Sequence, residues 1–257
     1  MVVKLDMSNN KINKNKISNS LCKCYDEDVN IIEIGVDEAG RGPLFGSVYT
    51  AAVILPKDDS FNHSIIKDSK KFHSKQKIEE VANYIKQNAL AWYVSYETET
   101  TIDNINILQA TQQSMHTSIL EVRKQFNEKM KIECKEERTK EIKEEKKDYS
   151  FNLLIDGNYF NPITYLNKKT NKIEGLPHKC IEGGDNKYTC IAAASILAKV
   201  ERDKYIDDLC IKYPELSEKY GINSNKGYGA KKHIDGIKEH GITQWHRKTF
   251  GICKKFA

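Results

Sequence analysis

The stretch Ile34 to Leu55, IGVDEAGRGPLFGSVYTAAVIL, decides how this chain is read. A short apolar run ends on two adjacent carboxylates, Asp37 and Glu38, and a Gly40-Arg41-Gly42 turn follows at once. Beyond the turn lie Val48, Tyr49, Thr50, Val53, Ile54 and Leu55, so the pattern predicts two strands joined across it, with the acids where a rigid sheet meets solvent. Neighbouring strand residues face opposite sides, so one acid aims at a site more directly than the other unless the strand ends and twists there. Two carboxylates this close repel each other, and a cation bound between them keeps both ionised near neutral pH. The alternative is a solvated turn that carries an Asp-Glu pair. Against it stand Gly40, Gly42 and Gly46 around one arginine, which suit a backbone that approaches a ligand closely or takes positive φ.

The 257 residues, 39% hydrophobic and 30% charged, suit one α/β unit with extensions and a modest core. No apolar run reaches the roughly 18 residues of a membrane span. The N-terminus has lysines but no apolar h-region, so no secretion signal is read and a cytoplasmic location is expected. Cys22, Cys24, Cys134, Cys180, Cys190, Cys210 and Cys253 form no CxxC pair and read as reduced thiols. Cys22 and Cys24 lack a second pair to complete a soft-metal site. A net charge of +5 leans only weakly toward a polyanionic partner. Residues 1–28 read as a disordered lysine- and asparagine-rich tail, and the main domain as 29–257. Within it, a run from about Asn127 to Ser150 balances Lys and Glu and reads as a charged, exposed insert with helical character, its alternative being a solvated spacer.

Between these segments strand and helix signals alternate. Ser74 caps a helix over Lys75 to Gln87, with Ile78, Val81, Ala82 and Ile85 at helical spacing. Leu90 to Tyr96 reads as a strand, Ile105 to Phe126 as a helix, and Phe151 to Ile155 as a buried strand ending on Asp156-Gly157-Asn158. A Lys/Asn/Gly turn is read over Asn167 to Gly175. His178 to Ile181 follows as a strand ending near Gly183-Gly184-Asp185, and Thr189 to Leu209 as a long alanine-rich helix. This order describes an α/β layered domain with a mixed sheet. Acids therefore recur at strand ends: Asp37 with Glu38, Asp156, and Asp185. Singly, Asp156 is a turn residue and Asp185 a helix cap. As a group they resemble a hard-cation site for Mg²⁺ or Mn²⁺, with enough carboxylates for two ions and for phosphodiester cleavage.

Asp37 to Leu44 (DEAGRGPL), Asp68-Ser69-Lys70-Lys71, Leu154 to Asn158 (LIDGN), Gly183-Gly184-Asp185 leading into IAAASILAKVERD, and Asn225-Lys226-Gly227-Tyr228-Gly229 resemble, in order, the motifs of ribonuclease HII. The resemblance spans roughly Ile31 to Phe250, and Gly-Arg-Gly favours this family over ribonuclease HIII. The tail and the charged insert depart from the pattern without touching a motif. The resemblance implies a ribonuclease H-like fold, a five-stranded mixed sheet flanked by helices, with a helical C-terminal part from about residue 205. It implies a metal-dependent endoribonuclease that cuts the RNA strand of RNA–DNA hybrids and nicks at ribonucleotides embedded in duplex DNA, leaving 5′-phosphate and 3′-hydroxyl ends.

Carried over by residue, Asp37, Glu38, Asp156 and Asp185 become the catalytic carboxylates that bind two Mg²⁺ or Mn²⁺ ions. Gly40, Arg41 and Gly42 would read the ribose 2′-hydroxyl through the backbone, Tyr228 would stack on the sugar, and Lys70 would contact phosphate. The 2′-hydroxyl is what separates RNA from DNA. Ser195, Lys199 and Arg202 share one helix face, which offers Lys199 and Arg202 to phosphates. Ordinary surface charges, with Ser195 as a packing residue, are the alternative. No histidine is required as a base where metal ions activate water. Trp245-His246-Arg247-Lys248 reads as packing of the C-terminal part, with a nucleic-acid contact as the other reading. A monomer is expected, and a replication-clamp-like partner is not readable from these residues. Two rivals stand beside this reading: a non-catalytic hybrid-binding module, which would have lost an acid, and a DNA-acting nuclease of the same broad fold, which would lack Gly-Arg-Gly and the Tyr228 motif.

Overall fold

The structure is a computed structural model that describes residues 20–138, 149–167 and 170–257, without the side chains of 132–138. Its centre is strand β1 (Ile31–Ala39), in which Ile32, Ile34 and Val36 alternate with Glu33, Gly35 and Asp37. β1 pairs antiparallel with β2 (Val48–Ile54) as far as Ala39↔Tyr49, and parallel with β4 (Ser150–Asp156) as far as Val36↔Ile155. The strand therefore runs through Asp37 and Glu38 instead of ending on them, because β2 continues to hydrogen-bond that segment after β4 has stopped. With β3 (Ala91–Glu97) and β7 (His178–Ile181) the order is β3-β2-β1-β4-β7, the expected five-stranded mixed sheet.

Period-two alternation gives the sheet two apolar faces. Ile34, Val36, Ala52, Leu153 and Ile155 pack with Met115, Ile119, Val122 and Phe126 of helix α2 (Glu99–Arg138). Ala51, Val53 and Leu154 pack on the other side with Ile78, Ala82 and Ile85 of α1 (Lys75–Asn88) and with Ile191 to Ala198 of α3 (Thr189–Lys212). Covering both faces explains why all seven residues of β2 are buried.

Four boundaries differ from the sequence reading. Helix α2 starts at Glu99, where Thr98 Oγ1 accepts from Thr101 N at 3.2 Å, and it breaks at Asn106 (φ 66°, ψ 163°), whose Oδ1 accepts from Gln109 N at 3.1 Å. The helix read over Ile105 to Phe126 is thus its second segment; residues 127–138 prolong it, and 139–148 of the charged insert lie outside the described residues. The tail does not extend to residue 28. Cys22 N donates to Lys187 O (2.8 Å), Thr189 N to Cys22 O (3.0 Å), and the buried Glu33 carboxylate accepts from Tyr25 N (3.0 Å) and Asp26 N (2.6 Å). Residues 1–19 lie outside the described residues. The turn read over Asn167 to Gly175 is a hairpin, β5 (Thr164–Asn167) with β6 (Lys172–Gly175), braced where Asn167 Nδ2 and Thr170 Oγ1 donate to Glu174. The C-terminal part begins past Lys212 with α4 (Glu215–Tyr220), α5 (Ile222–Asn225) and α6 (Lys231–His240). Near residue 205 it is the core that changes: Ile206 and Cys210 of α3 join Phe45, Leu216, Tyr220 and Ile237 in a second cluster.

Gly35 sets how closely α3 lies on the sheet. A Cβ there would stand 2.2 Å from the Cys190 carbonyl carbon and 2.5 Å from Ile191 N, with only backbone to give way. Gly35→Ala should therefore destabilise the fold by about 3 kcal/mol, the upper range for overpacking. Denaturant unfolding of the variant measures this, and a loss below about 1 kcal/mol would mean that α3 slides without resistance.

Candidate active site at the carboxyl edge of the sheet

The β1–β4 register determines the site. Val36 is paired with Ile155, so Asp37 and Asp156 come next on adjacent parallel strands, both on the α3 face, as Gly35 and Leu154 are. Asp156 is paired with Ile181, the last residue of β7; Gly183 then takes a left-handed conformation (φ 60°) and a short turn, Gly184–Asn186, carries Asp185. Gly184 N donates to Asp156 Oδ1 at 2.7 Å, which ties this turn to β4. Glu38 follows Asp37 on β1, and both line a cleft of about 490 Å³ that also holds Asp156 and Lys199. Open sheets place ligand sites outside the carboxyl ends of parallel strands for this geometric reason.

The acids interact as a group. Burial first, then the charges of Glu38 and Asp156, push the Asp37 carboxyl well above its ordinary value, against hydrogen bonds from Ser195 and Glu38 N. Burial also raises Glu38, opposed by Arg41 (Nη1 to Oε1 3.3 Å), and raises Asp156, to which Asp185 adds. Asp185 lies beneath the cleft, its side chain 5% exposed, with Lys70 Nζ at 3.5 Å and Asn186 Nδ2 at 3.1 Å. Burial pulls the Lys70 ammonium down, but Asp185, Asp68 and Asp37 carry it above its usual value. The donor set is all carboxylate oxygen, which suits a hard divalent cation. Among the described residues no three acids, histidines or thiols are gathered tightly enough to hold one ion as they stand. Lys70 is instead the cation that meets Asp185.

Gly40, Arg41, Gly42, Lys70 and Tyr228 line the same cleft, and Tyr228, half-exposed, has its Cε1 3.5 Å from where a Gly42 Cβ would be. Lys199 Nζ pairs with Asp203 at 2.9 Å on the cleft wall. Arg202 is corrected. It lines the cleft but is only 2% exposed, and its guanidinium donates to Phe45 O (3.3 Å), Ser47 O (3.3 Å) and Lys226 O (3.0 Å), so the hydrogen bonds it makes go to backbone carbonyls. Ser195 is buried against Ser69 Oγ at 3.1 Å and lies close enough to Asp37 to draw its carboxyl down, so it is more than a packing residue. A second cleft of about 350 Å³, beside Tyr49 and Tyr205, sets Glu201 and Asp208 among Lys204 and Lys212 and holds none of the strand-end acids.

The sequence reading took Arg247 as part of a C-terminal packing cluster and did not connect it to the glycine loop. Fully buried, it donates to Gly40 O (2.6 Å), Arg41 O (2.9 Å), Pro43 O (2.9 Å) and Gly46 O (2.8 Å). Burial, with Arg202 nearby, brings it down to about 9, still charged at neutral pH. Next to it, His246 and His233 are buried with Nε2 atoms 3.0 Å apart. Thr243 N can only donate, so His246 Nδ1 accepts (2.9 Å), His246 Nε2–H points at His233 Nε2, and His233 Nδ1–H meets Tyr228 O (2.8 Å). Burial lowers both rings, His246 to about 3, so this neutral chain persists at pH 7 and holds the Tyr228 backbone. Of the Trp245 to Lys248 cluster, His246 and Arg247 thus pack inward while Lys248 is exposed.

A sequence model of the family described as Ribonuclease HII matches residues 34–253. The chain is 41% identical over 227 residues to a Ribonuclease HII of Phocaeicola vulgatus, covering 87% of this chain and 90% of the relative. It is 42% identical over 225 residues to one of Bacteroides thetaiotaomicron, covering 87% and 91%. The fold is similar to a ribonuclease H2 of Pyrococcus horikoshii (TM-score 0.59, 20% identity, 88% of this chain and 96% of that one). It is also similar to the ribonuclease HII of an Archaeoglobus fulgidus PCNA:RNase HII complex (TM-score 0.55, 24% identity, 86% and 96%) and to Bst-RNase HIII in complex with Mn²⁺ (TM-score 0.55, 18% identity, 88% and 69%).

The raised Asp37 has a measurable cost. Folded protein holds that proton more tightly than unfolded chain, so the stability contribution is fully present below the unfolded carboxylate value, about pH 4, and falls as pH rises. In chelator at pH 7–8, Asp37→Asn should raise the melting temperature by about 2–4 °C, the equivalent of about 1 kcal/mol. The gain should vanish near pH 4. Melts of both proteins across this range test it, and a difference independent of pH would remove the electrostatic explanation.

Proposed function

The chain belongs to the ribonuclease HII family, and on that premise we propose that it cuts the RNA strand of RNA–DNA hybrids and nicks at single ribonucleotides embedded in duplex DNA. The ends left would be 5′-phosphate and 3′-hydroxyl. The observation that carries this reading is one cleft lined both by Asp37, Glu38 and Asp156, with Asp185 reached through Lys70, and by the Gly40-Arg41-Gly42 loop and Tyr228. One part offers phosphodiester chemistry, the other recognition of a sugar.

Asp37, Glu38, Asp156 and Asp185 would hold two divalent ions, Mg²⁺ or Mn²⁺; the Mn²⁺ complex of the Bst-RNase HIII neighbour supports this. Such ions supply charge neutralisation at the scissile phosphate and acidify water. The remaining work falls to the chain's own groups. Glu38 N donates to Asp37, Ser195 lies beside that carboxyl and favours its charged form, and Gly184 N fixes Asp156. Lys70 and Lys199, which both line the cleft, would hold flanking phosphates, which position a strand without reading its sequence. Backbone groups of Gly40 to Gly42 meet the ribose 2′-hydroxyl, and the Tyr228 ring stacks on the adjoining sugar. A non-catalytic hybrid-binding module would not need the acids, and a DNA-acting nuclease would not need the glycine loop. The Archaeoglobus complex is the support for a replication-clamp-like partner. Among the described residues no helix is long and apolar enough to cross a membrane, and a monomer in the cytoplasm is proposed.

The test is incubation of purified protein with duplex DNA carrying one ribonucleotide, with and without divalent metal. Cleavage on the 5′ side of the ribonucleotide phosphate that requires metal is expected to leave the stated ends. Asp185→Asn should lower the rate by about 10²–10⁴-fold, the loss of several kcal/mol of charge stabilisation, with hybrid binding kept. Tyr228→Ala should lose about 10–100-fold on this substrate, the worth of one stacking contact, while Tyr228→Phe stays near parent. Full turnover by Asp185→Asn would refute the metal assignment, and full activity of Tyr228→Ala would refute the stacking role.

A further inference from the structure

The glycine loop is held from behind by two arginines. Arg247 binds the carbonyls of Gly40, Arg41, Pro43 and Gly46, and Arg202 binds that of Phe45. Gly40 has φ +91°, and a Cβ on it would lie 2.1 Å from Arg202 Nε, so the backbone rests directly on the guanidinium. A guanidinium presents five donors in a fixed plane, so carbonyls that satisfy it are fixed in direction too. No peptide bond here is cis, and in a trans peptide the N–H of the next residue points opposite to the C=O.

The consequence can be followed unit by unit. The carbonyl of Pro43 faces Arg247 and the next amide, Leu44 N, donates outward to Gly227 O at 2.9 Å. The carbonyl of Phe45 faces Arg202 and Gly46 N donates to Trp245 O at 2.8 Å. The carbonyls of Gly40 and Arg41 face Arg247 in the same way, and their partner amides, Arg41 N and Gly42 N, have no acceptor among the described residues. Both residues line the cleft.

We infer that Arg247 is a specificity-positioning residue: by fixing the Gly40 and Arg41 carbonyls inward, it aims the Arg41 and Gly42 amides into the cleft as a preset pair of donors for the ribose 2′-oxygen. The inference rests on the proposed reading of a ribonucleotide at this loop and adds the buried group that sets it. Arg247 touches neither substrate nor acids. Its loss lets the two peptide units rotate, which weakens recognition of the 2′-oxygen without altering phosphate contacts.

The experiment compares KM for a duplex with one ribonucleotide against Ki of the all-DNA duplex as competitor, in metal, for parent, Arg247→Lys and Arg247→Met. In the parent, Ki should exceed KM. Arg247→Lys, which keeps the charge but not the fork, should raise KM by about tenfold, the worth of one or two hydrogen bonds, with Ki unchanged. Arg247→Met should bring Ki and KM together. Equal KM and Ki in the parent would overturn both the loop reading and this inference. An unchanged ratio in both variants, or a parallel rise of KM and Ki, would overturn the inference alone. Should neither variant fold, amide hydrogen exchange of the parent decides: Arg41 and Gly42 must exchange faster than Leu44 and Gly46, and equal protection would overturn the orientation.

Discussion

The contact on which the other features depend is that of helix α3 with β1 at Gly35. With no side chain there, the Cys190–Ile191 backbone lies on the strand, and everything further along α3 takes its place from that contact. At 1.5 Å per residue, the helix reaches Asp37 with Ser195, the cleft wall with Lys199, the underside of Gly40 with Arg202, and the second core with Ile206 and Cys210. One helix therefore sets the distance between the acids and the loop that faces them. A shift of α3 moves both, which keeps the chemical and recognition halves of the cleft in register.

The site is also a balance of charges that burial makes expensive. Asp37, Glu38 and Asp156 repel one another at the sheet edge, with Arg41 and Lys70 as the cations drawn among them. Behind the loop the problem is inverted. Arg202 and Arg247 are buried with carbonyl oxygens, not carboxylates, as most of their partners, and those oxygens substitute for water around each guanidinium. The first arrangement is unfavourable until a cation arrives, while the second is satisfied within the fold. This asymmetry suits the proposed site, which would bind metal yet keep a rigid recognition loop.

Much of this was legible in the sequence, for physical reasons. Apolar runs that give way to Asp, Gly and Asn pick out the four acids, although β1 runs on through Asp37 and Glu38, and the ordered motifs grouped them. The buried face of α1 followed from helical spacing. Arg202 was misread because i, i+4, i+7 spacing identifies a shared face but not what each side chain meets; Lys199 and Arg202 both line the cleft, but the Arg202 guanidinium is taken up by backbone carbonyls. Arg247 left no local signal, since its partners lie more than 200 positions away. The tail boundary failed because a few groups, Cys22, Tyr25 and Asp26, dock a polar segment onto Glu33 and Thr189, and burial of Glu33 is not visible in composition.

The separation of 207 residues between Arg247 and Gly40 has a meaning for the order in which the molecule becomes competent. Ribosomes make chains from the N-terminus at about 5–20 residues per second, and contacts that close long loops form late because their entropy must be met first. All four acids, Asp185 included, are synthesised well before Arg247. A nascent chain therefore gathers the proposed reactive groups while the loop proposed to choose the sugar is still unfixed. On that reading recognition is installed after reactivity, and the last arginine to arrive acts as the mark of a finished molecule.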